Sequence, residues 1–252
     1  MIDARRLFDT IRAIKGSPLV QADVDAVNAE LAPLQCPNAI PMPVKPVMDV
    51  TAFAMDEVKR WEGGYSTNPN DAGNWYDPVT GRQAKGIGAF FGSNCGVTAK
   101  TLTIFLGRAV SVQDIKNVTV AQAADISERL FYSTTGLQNL PWNAVTASLL
   151  DFCWGAGPVP GIKAMQDLLD VGEDGKIDPG GDTVKAFGAW LSRYGLEAFA
   201  GAWWTKREEF YEALVLRRPS DEQFIHGWDN RSAYFLPGHP EGWWTRFNGR
   251  AS

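Results

Sequence analysis

Cysteine is scarce in this chain, and its scarcity removes several chemistries at once. Cys36, Cys95 and Cys153 are odd in number, widely spaced and without a C-x-x-C pair, so a reduced protein is the default and no thiolate metal knuckle fits. Histidine is scarcer still. His226 and His239 show no H-E-x-x-H spacing, so neither a zinc site nor any other cofactor is expected. A cysteine nucleophile would need one of these two as its base. His226, however, reads as a packed helix-end residue, and His239, between Gly and Pro, as part of a surface loop. Positive charge is lacking too: the net charge is −5 and no basic run is visible, which argues against nucleic acid as a partner. No stretch reaches the apolar length of a membrane span, and the amino terminus lacks the apolar core of a signal peptide.

What is present is enough apolar material for a full core, 45% of 252 residues. Residues 1–32 predict a helical hairpin broken at Gly16-Ser17-Pro18, too small to be stable alone. Five prolines between Pro33 and Pro46 make residues 33–48 a semi-rigid linker. From Asp49 to Glu62 the apolar positions Val50, Phe53, Ala54, Val58 and Trp61 recur at helical spacing, with Thr51 the expected N-cap and Asp56 and Glu57 on the polar side. Residues 64–92 are rich in Gly, Asn and Pro with short apolar runs, which suits a small antiparallel hairpin sheet. Helices are predicted again over 98–106, 120–132, 142–154, 160–169, 182–194 and 196–216. One small sheet among many helices is an α+β class, mainly helical. Residues 170–175 have the outline of a calcium loop, but Gly172 and Gly181 stand where ligands would be needed, so a turn is expected there.

The densest chemistry lies in Trp61-Glu62-Gly63-Gly64-Tyr65 and in Asp71, nine residues after Glu62. Gly63-Gly64 is expected to end the helix through a left-handed glycine cap, with Glu62 as the last helical residue. The negative end of the helix and the rings of Trp61 and Tyr65 would disfavour the ionised form of that carboxyl, as a proton donor requires. Asp71, in a polar Asn-Pro-Asn-Asp turn, should stay ionised. Two carboxylates in unlike surroundings are the minimal equipment for general-acid cleavage of a glycosidic bond. Asp77 is a rival second acid. Thr80 is a candidate water-positioning hydroxyl, although Asp77-Pro78-Val79-Thr80-Gly81 also reads as an ordinary hairpin turn.

These motifs resemble glycoside hydrolase family 108, the lysozyme-like muramidases of phage endolysins and related secretion activators. The resemblance is carried by Glu62-Gly63-Gly64-Tyr65, Asn68-Pro69-Asn70-Asp71, Gly86-Ile87-Gly88 and Leu130-Phe131-Tyr132. It continues into the family's peptidoglycan-binding region through Asp151-Phe152, Gly155-Ala156-Gly157-Pro158, Asp174-Gly175-Lys176-Ile177 and the run from Phe224 to Arg231. In all it covers roughly 200 of 252 residues. It implies a lysozyme-like catalytic region at 49–140 and a helical peptidoglycan-binding region at 141–252, the latter either a module or the second lobe of one domain.

The activity implied is hydrolysis of the β-1,4 bond between N-acetylmuramic acid and N-acetylglucosamine. Glu62 would be the general acid and Asp71 would position water or stabilise developing charge. Tyr65 and Trp75 near that site, and Trp228, Asn230 and Arg231 in the second region, are candidate substrate contacts. Residues 182–252 hold nine Lys or Arg and nine Asp or Glu, so wall contact there cannot rest on bulk positive charge. An endolysin of this kind is expected to be a monomer that accumulates in the host cytoplasm and reaches the periplasm and cell wall through a separately made holin-type pore. Two alternatives stand beside it. One is a wall-binding secretion or assembly factor with weak or lost activity; the other is a lytic transglycosylase, which uses one acid and the sugar's own 6-hydroxyl.

Overall fold

A computed structural model describes residues 50–248. The predicted N-terminal hairpin (1–32) and linker (33–48) lie outside the described residues. The chain divides at Gly136 into two compact units, 50–135 and 136–248, and each is described by itself.

The first unit opens with helix α1, Val50–Trp61, whose inward face is Phe53, Ala54, Glu57 and Val58. The spacing of these residues wraps one stripe of the helix, which lies against α4 (Val120–Ile126) and its buried Ala123, Ala124 and Ile126. Two expectations fail here. Glu57 is buried instead of solvated, at 6% exposure. Thr51 sits inside the first turn instead of capping it, and its hydroxyl donates to the carboxylate of Glu128. Glu128 belongs to Ser127–Ser133, which continues α4 as a π-helical turn.

Helix α1 also ends differently from its prediction. Trp61 is its last residue, while the Glu62 amide still reaches the Val58 carbonyl at 3.1 Å and closes the final turn. Neither Gly63 nor Gly64 takes a positive φ. A Cβ on either would meet nothing within 4 Å, so glycine here leaves open ground beside Glu62 and supplies no left-handed cap.

The β structure is two short antiparallel ladders: one within the 64–92 stretch where a small hairpin sheet is expected, and a second at 93–98 just beyond it. Strands β1 (Trp75–Tyr76) and β2 (Ala89–Phe90) pair Trp75 with Phe90 and Tyr76 with Ala89. Strands β3 (Ser93–Asn94) and β4 (Val97–Thr98) pair across a two-residue turn. That turn, Cys95-Gly96, has φ of 51° and 74°, the doubly positive geometry that matches hairpin twist. Helix α2 (Ala99–Leu106) starts at the Thr98 cap and stops at Gly107 in the left-handed region, as its sequence predicts. The short helix α3, Val112–Lys116, was not anticipated, although Ser111 and Asp114 form a full capping box.

The second unit is helical throughout its regular structure. Helix α5 (Ala144–Ala156) is capped by Asn143, and every residue from Ala144 to Cys153 is buried, so it forms the centre of the unit. Helix α6 (Pro158–Leu168) approaches it closely: a Cβ on Gly161 would fall 2.6 Å from Cys153 Sγ. Helix α7 spans Asp182–Arg217 and breaks at Gly195 (φ 78°, ψ 164°), which is where the sequence separates two helices. Helix α8, Ile225–Ala233, follows; His226 on it is exposed instead of packed.

Phe152 of α5 organises the aromatic core. Its ring meets Phe210, Trp203 and Tyr211 edge-on at centroid distances of 4.9, 5.6 and 5.6 Å. Beneath it, the fully buried guanidinium of Arg207 donates to Asp151 Oδ2 at 2.9 Å and to Ser148 Oγ at 2.8 Å. Arg231 of α8 reaches the other oxygen of Asp151 at 2.7 Å.

A carboxyl pair joins α7 to α8. Burial pushes Glu208 up to about 7, reinforced by the adjoining Asp229 carboxylate and opposed by the Ser232 hydroxyl, 2.7 Å from Glu208 Oε1. Arg207 from α7 is the cation that acts on Glu208, and it favours the ionised form. The folded unit holds the Glu208 proton more tightly than the unfolded chain, whose ordinary value is 4.5. Its contribution to stability is therefore full below that value and is lost as pH rises through about 7. Urea midpoints measured between pH 5 and 8 are expected to fall for the wild type and to flatten in Glu208→Gln. An equally steep fall in the variant would rule this pair out as the cause.

Candidate active site

Glu62 is half-exposed at the mouth of the bare Gly63-Gly64 segment. Its surroundings include the turn between β3 and β4. Burial, and after it the negative charge of Glu62, push the Cys95 thiol up, so the Glu62 carboxyl lies within electrostatic reach of the β3–β4 turn. That turn is anchored: Asn94 Nδ2 donates to the carbonyls of Lys116 and Val118 at 2.9 and 3.1 Å.

The rings named from sequence are held firmly. Tyr65 donates its hydroxyl to the Phe91 carbonyl at 2.8 Å, and Lys116 Nζ stands 5.3 Å from its ring centroid. Trp75 donates Nε1–H to the Pro69 carbonyl at 2.9 Å and meets Phe90 edge-on at 5.2 Å. Both rings remain half-exposed, so both retain surface for a substrate.

The residue that fastens this region was missed from sequence. Asn74 is fully buried. Its Nδ2 donates to the Asn68 carbonyl at 2.9 Å and to Ser66 Oγ at 3.3 Å, while its own carbonyl accepts the amides of Phe91 and Gly92. One residue, through its side-chain amide and its backbone carbonyl, thus ties the loop that follows Glu62 to the end of β2. The Asn-Trp-Tyr context of the sequence carries no signal that would single it out.

The two rival aspartates differ in how their oxygens are used. Asp71 is exposed and caps the 3₁₀ turn Ala72–Asn74, with Oδ1 accepting the Gly73 amide at 2.8 Å. Its Oδ2 has no partner among the described residues. Asp77 uses both oxygens: Oδ2 accepts the Thr80 hydroxyl at 2.6 Å and Oδ1 accepts the Val79 amide at 2.9 Å. These two bonds, in that order, hold its carboxyl below the usual range. Backbone pairing between Asp77 and Arg82 closes the same turn. Asp77→Ala is accordingly expected to lower the melting temperature slightly while most cleavage activity survives. A collapse of activity with the fold intact would favour Asp77 over Asp71 as the second acid.

In the second unit the three candidate contacts separate. Trp228 stacks on Tyr211 at 4.9 Å and 20°, and Arg231 is engaged with Asp151, so both are committed to packing and ion pairing within the unit. Asn230 is exposed. The calcium-like outline at 170–175 is a turn, as expected: Asp174 Oδ1 accepts Gln166 Nε2 at 2.7 Å and the Lys176 amide at 2.9 Å. Among the described residues no cluster of His, Cys, Asp or Glu could hold a metal, and no helix is long and apolar enough to cross a membrane. Burial drives the thiol of Cys153 far above its ordinary value and raises that of Cys95, which makes both poor nucleophiles at neutral pH.

Residues 55–157 match the family model described as Glycosyl hydrolase 108, and residues 161–233 match the one described as a predicted peptidoglycan domain. Among solved structures the chain is similar to SagA of Brucella abortus, with 25% identity, a TM-score of 0.57, and coverage of 73% of this chain and 90% of that one. No curated relative matches the chain. A lysozyme-like α+β fold and these matches together define a glycoside hydrolase that acts on peptidoglycan. The glycosyl hydrolase 108 match covers residues 55–157, and the predicted peptidoglycan domain follows it in the chain at 161–233.

Proposed function

We propose that the protein is a muramidase that hydrolyses the β-1,4 bond between N-acetylmuramic acid and N-acetylglucosamine, with Glu62 as general acid and Asp71 as the second carboxylate. The observation that carries this reading is the unequal use of the acids. Glu62 stands half-exposed beside bare glycine backbone, and Asp71 keeps Oδ2 open while its other oxygen fixes the loop. A carboxyl group so placed can orient water or stabilise an oxocarbenium-like centre. Tyr65 and Trp75 offer pinned, half-exposed rings to the sugars. The work of the enzyme is that of an endolysin, a monomer made in the host cytoplasm and released to the wall through a separately made pore.

Digestion of purified sacculi followed by mass spectrometry tests the chemistry. Muropeptides ending in a reducing N-acetylmuramic acid are the expected product. Anhydro ends would establish a lytic transglycosylase instead, and absence of cleavage with retained binding would leave a wall-binding factor. Expression with and without a co-expressed pore tests the biology, lysis being expected only with the pore.

A further inference from the structure

Two side chains from the segment after the Asp77–Arg82 turn reach across to the loop that carries Asp71. Gln83 Nε2 donates to the Gly73 carbonyl at 2.9 Å, and Lys85 Nζ donates to Asn70 Oδ1 at 2.7 Å. The first contact falls after Asp71 in the chain and the second just before it, so the two bracket the carboxylate. Neither side chain makes another hydrogen bond or an ion pair with any described residue. Both emerge between backbone bonds that fix their own segment. On one side the Asp77 amide donates to the Arg82 carbonyl at 2.9 Å, and on the other the Ile87 amide donates to the Ala84 carbonyl at 3.0 Å.

Gln83 holds the same residue that Asp71 uses. Asp71 Oδ1 accepts the Gly73 amide at 2.8 Å, while Gln83 takes the Gly73 carbonyl. A side chain at position 73 would intrude on both. An added Cβ would stand 3.1 Å from Asp71 Oδ1 and 3.6 Å from Gln83 Nε2. Gly73 has no positive φ, so space beside Asp71, and not backbone conformation, calls for glycine there. Asp71 itself is exposed, and packing alone does not freeze an exposed carboxylate. A working carboxylate has to stay within about 0.5 Å of its productive position, which needs supporting hydrogen bonds of this kind.

We propose that Gln83, assisted by Lys85, is a positioning residue that holds Asp71 in place for glycosidic cleavage. The proposal rests on the reading of Asp71 as the second carboxylate and adds to it the residues that keep that carboxylate aimed.

Steady-state cleavage of soluble peptidoglycan oligomers by full-length variants tests it. Gln83→Met keeps the length of the side chain and removes the donor. It is expected to lower kcat about tenfold with KM within about twofold, because misplacement of a reacting group costs rate more than binding. Lys85→Met, at an exposed contact, should cost about threefold. In an Asp71→Asn background Gln83→Met should cost less than about twofold more, since the charge it positions is already gone. A second readout needs no turnover. The Gly73 amide proton resonance, followed in glycine-labelled protein, reports the bond to Asp71 Oδ1 and is expected to move toward that of a free amide in Gln83→Met. Circular dichroism checks each fold, and Gln83→Asn, too short to span the same gap, serves if the thioether disturbs the loop. An unchanged kcat in a folded Gln83 variant, an equal loss with and without Asp71, or an unmoved Gly73 resonance would overturn this proposal and leave Asp71 as the second acid. Wild-type kcat in Asp71→Asn would remove the second-acid reading and the catalytic role of Gln83 together.

Discussion

Glu62→Gln is expected to abolish cleavage of peptidoglycan while the protein folds and binds the wall as before. The substitution preserves the size of the side chain and its position after α1, where the Glu62 amide closes the last turn on Val58 at 3.1 Å. It removes only the proton that must reach the leaving oxygen. General-acid catalysis contributes about 10²–10⁴ in rate, so turnover should drop by at least that lower bound. The neighbourhood should not move, because its order comes from Asn74, Tyr65 and Asn94, whose bonds do not involve Glu62. Turbidity loss of purified sacculi measures the rate, and co-sedimentation with the same sacculi measures binding. Activity within a few-fold of wild type would remove Glu62 from the acid role. Asp71→Asn should cost less, since the amide keeps an oxygen for Gly73 and loses only the charge.

The sequence reveals these acids more clearly than it reveals what supports them. The helix bounds near 98, 106 and 120 and the break between 194 and 196 were legible because capping and left-handed glycine are local chemistry, written within a few residues. Glu57 was misplaced because its burial depends on partners from outside the helix that periodicity cannot supply. Thr51 was misread for a related reason, its hydroxyl having a distant partner in Glu128, 77 residues on. Gly63-Gly64 shows a subtler failure. A glycine pair at a helix end suggests a left-handed cap, yet here the missing side chains clear space and the backbone stays at negative φ.

The motif residues Asp151 and Arg231 were visible as part of the family pattern, but they turn out to be two ends of one buried ion cluster. Arg207, which completes it, belongs to no motif the sequence offered. Trp228 follows the same logic. A conspicuous aromatic beside Asn230 and Arg231 suggests a binding face, whereas its stacking on Tyr211 ties α8 to α7.

The largest stability effect is expected at that cluster. Asp151 and Arg207 both have side-chain exposures of 0%, and Arg231 has 17%. Asp151 accepts from two guanidinium groups, one on each of its oxygens. Asp151→Ala strips both at once and leaves Arg207 charged in the core, where Phe152 stands 5.3 Å from its Cζ. Breaking one partner of a buried pair costs about 3–5 kcal/mol, a large share of a typical domain's stability. Arg231→Ala should cost much less, because its head is partly solvated and Asp151 keeps Arg207. Replacing the whole buried pair, Asp151→Leu with Arg207→Met, should recover much of what Asp151→Ala loses, since desolvation of two charges is removed along with their attraction. Urea unfolding of the three variants, followed by tryptophan fluorescence, reads the order directly. The cluster would lose its assigned importance if Asp151→Ala unfolded within about 1 kcal/mol of wild type, the size of an exposed pair. A double variant worse than Asp151→Ala would show that the charges, and not the packing around them, hold α5, α7 and α8 together.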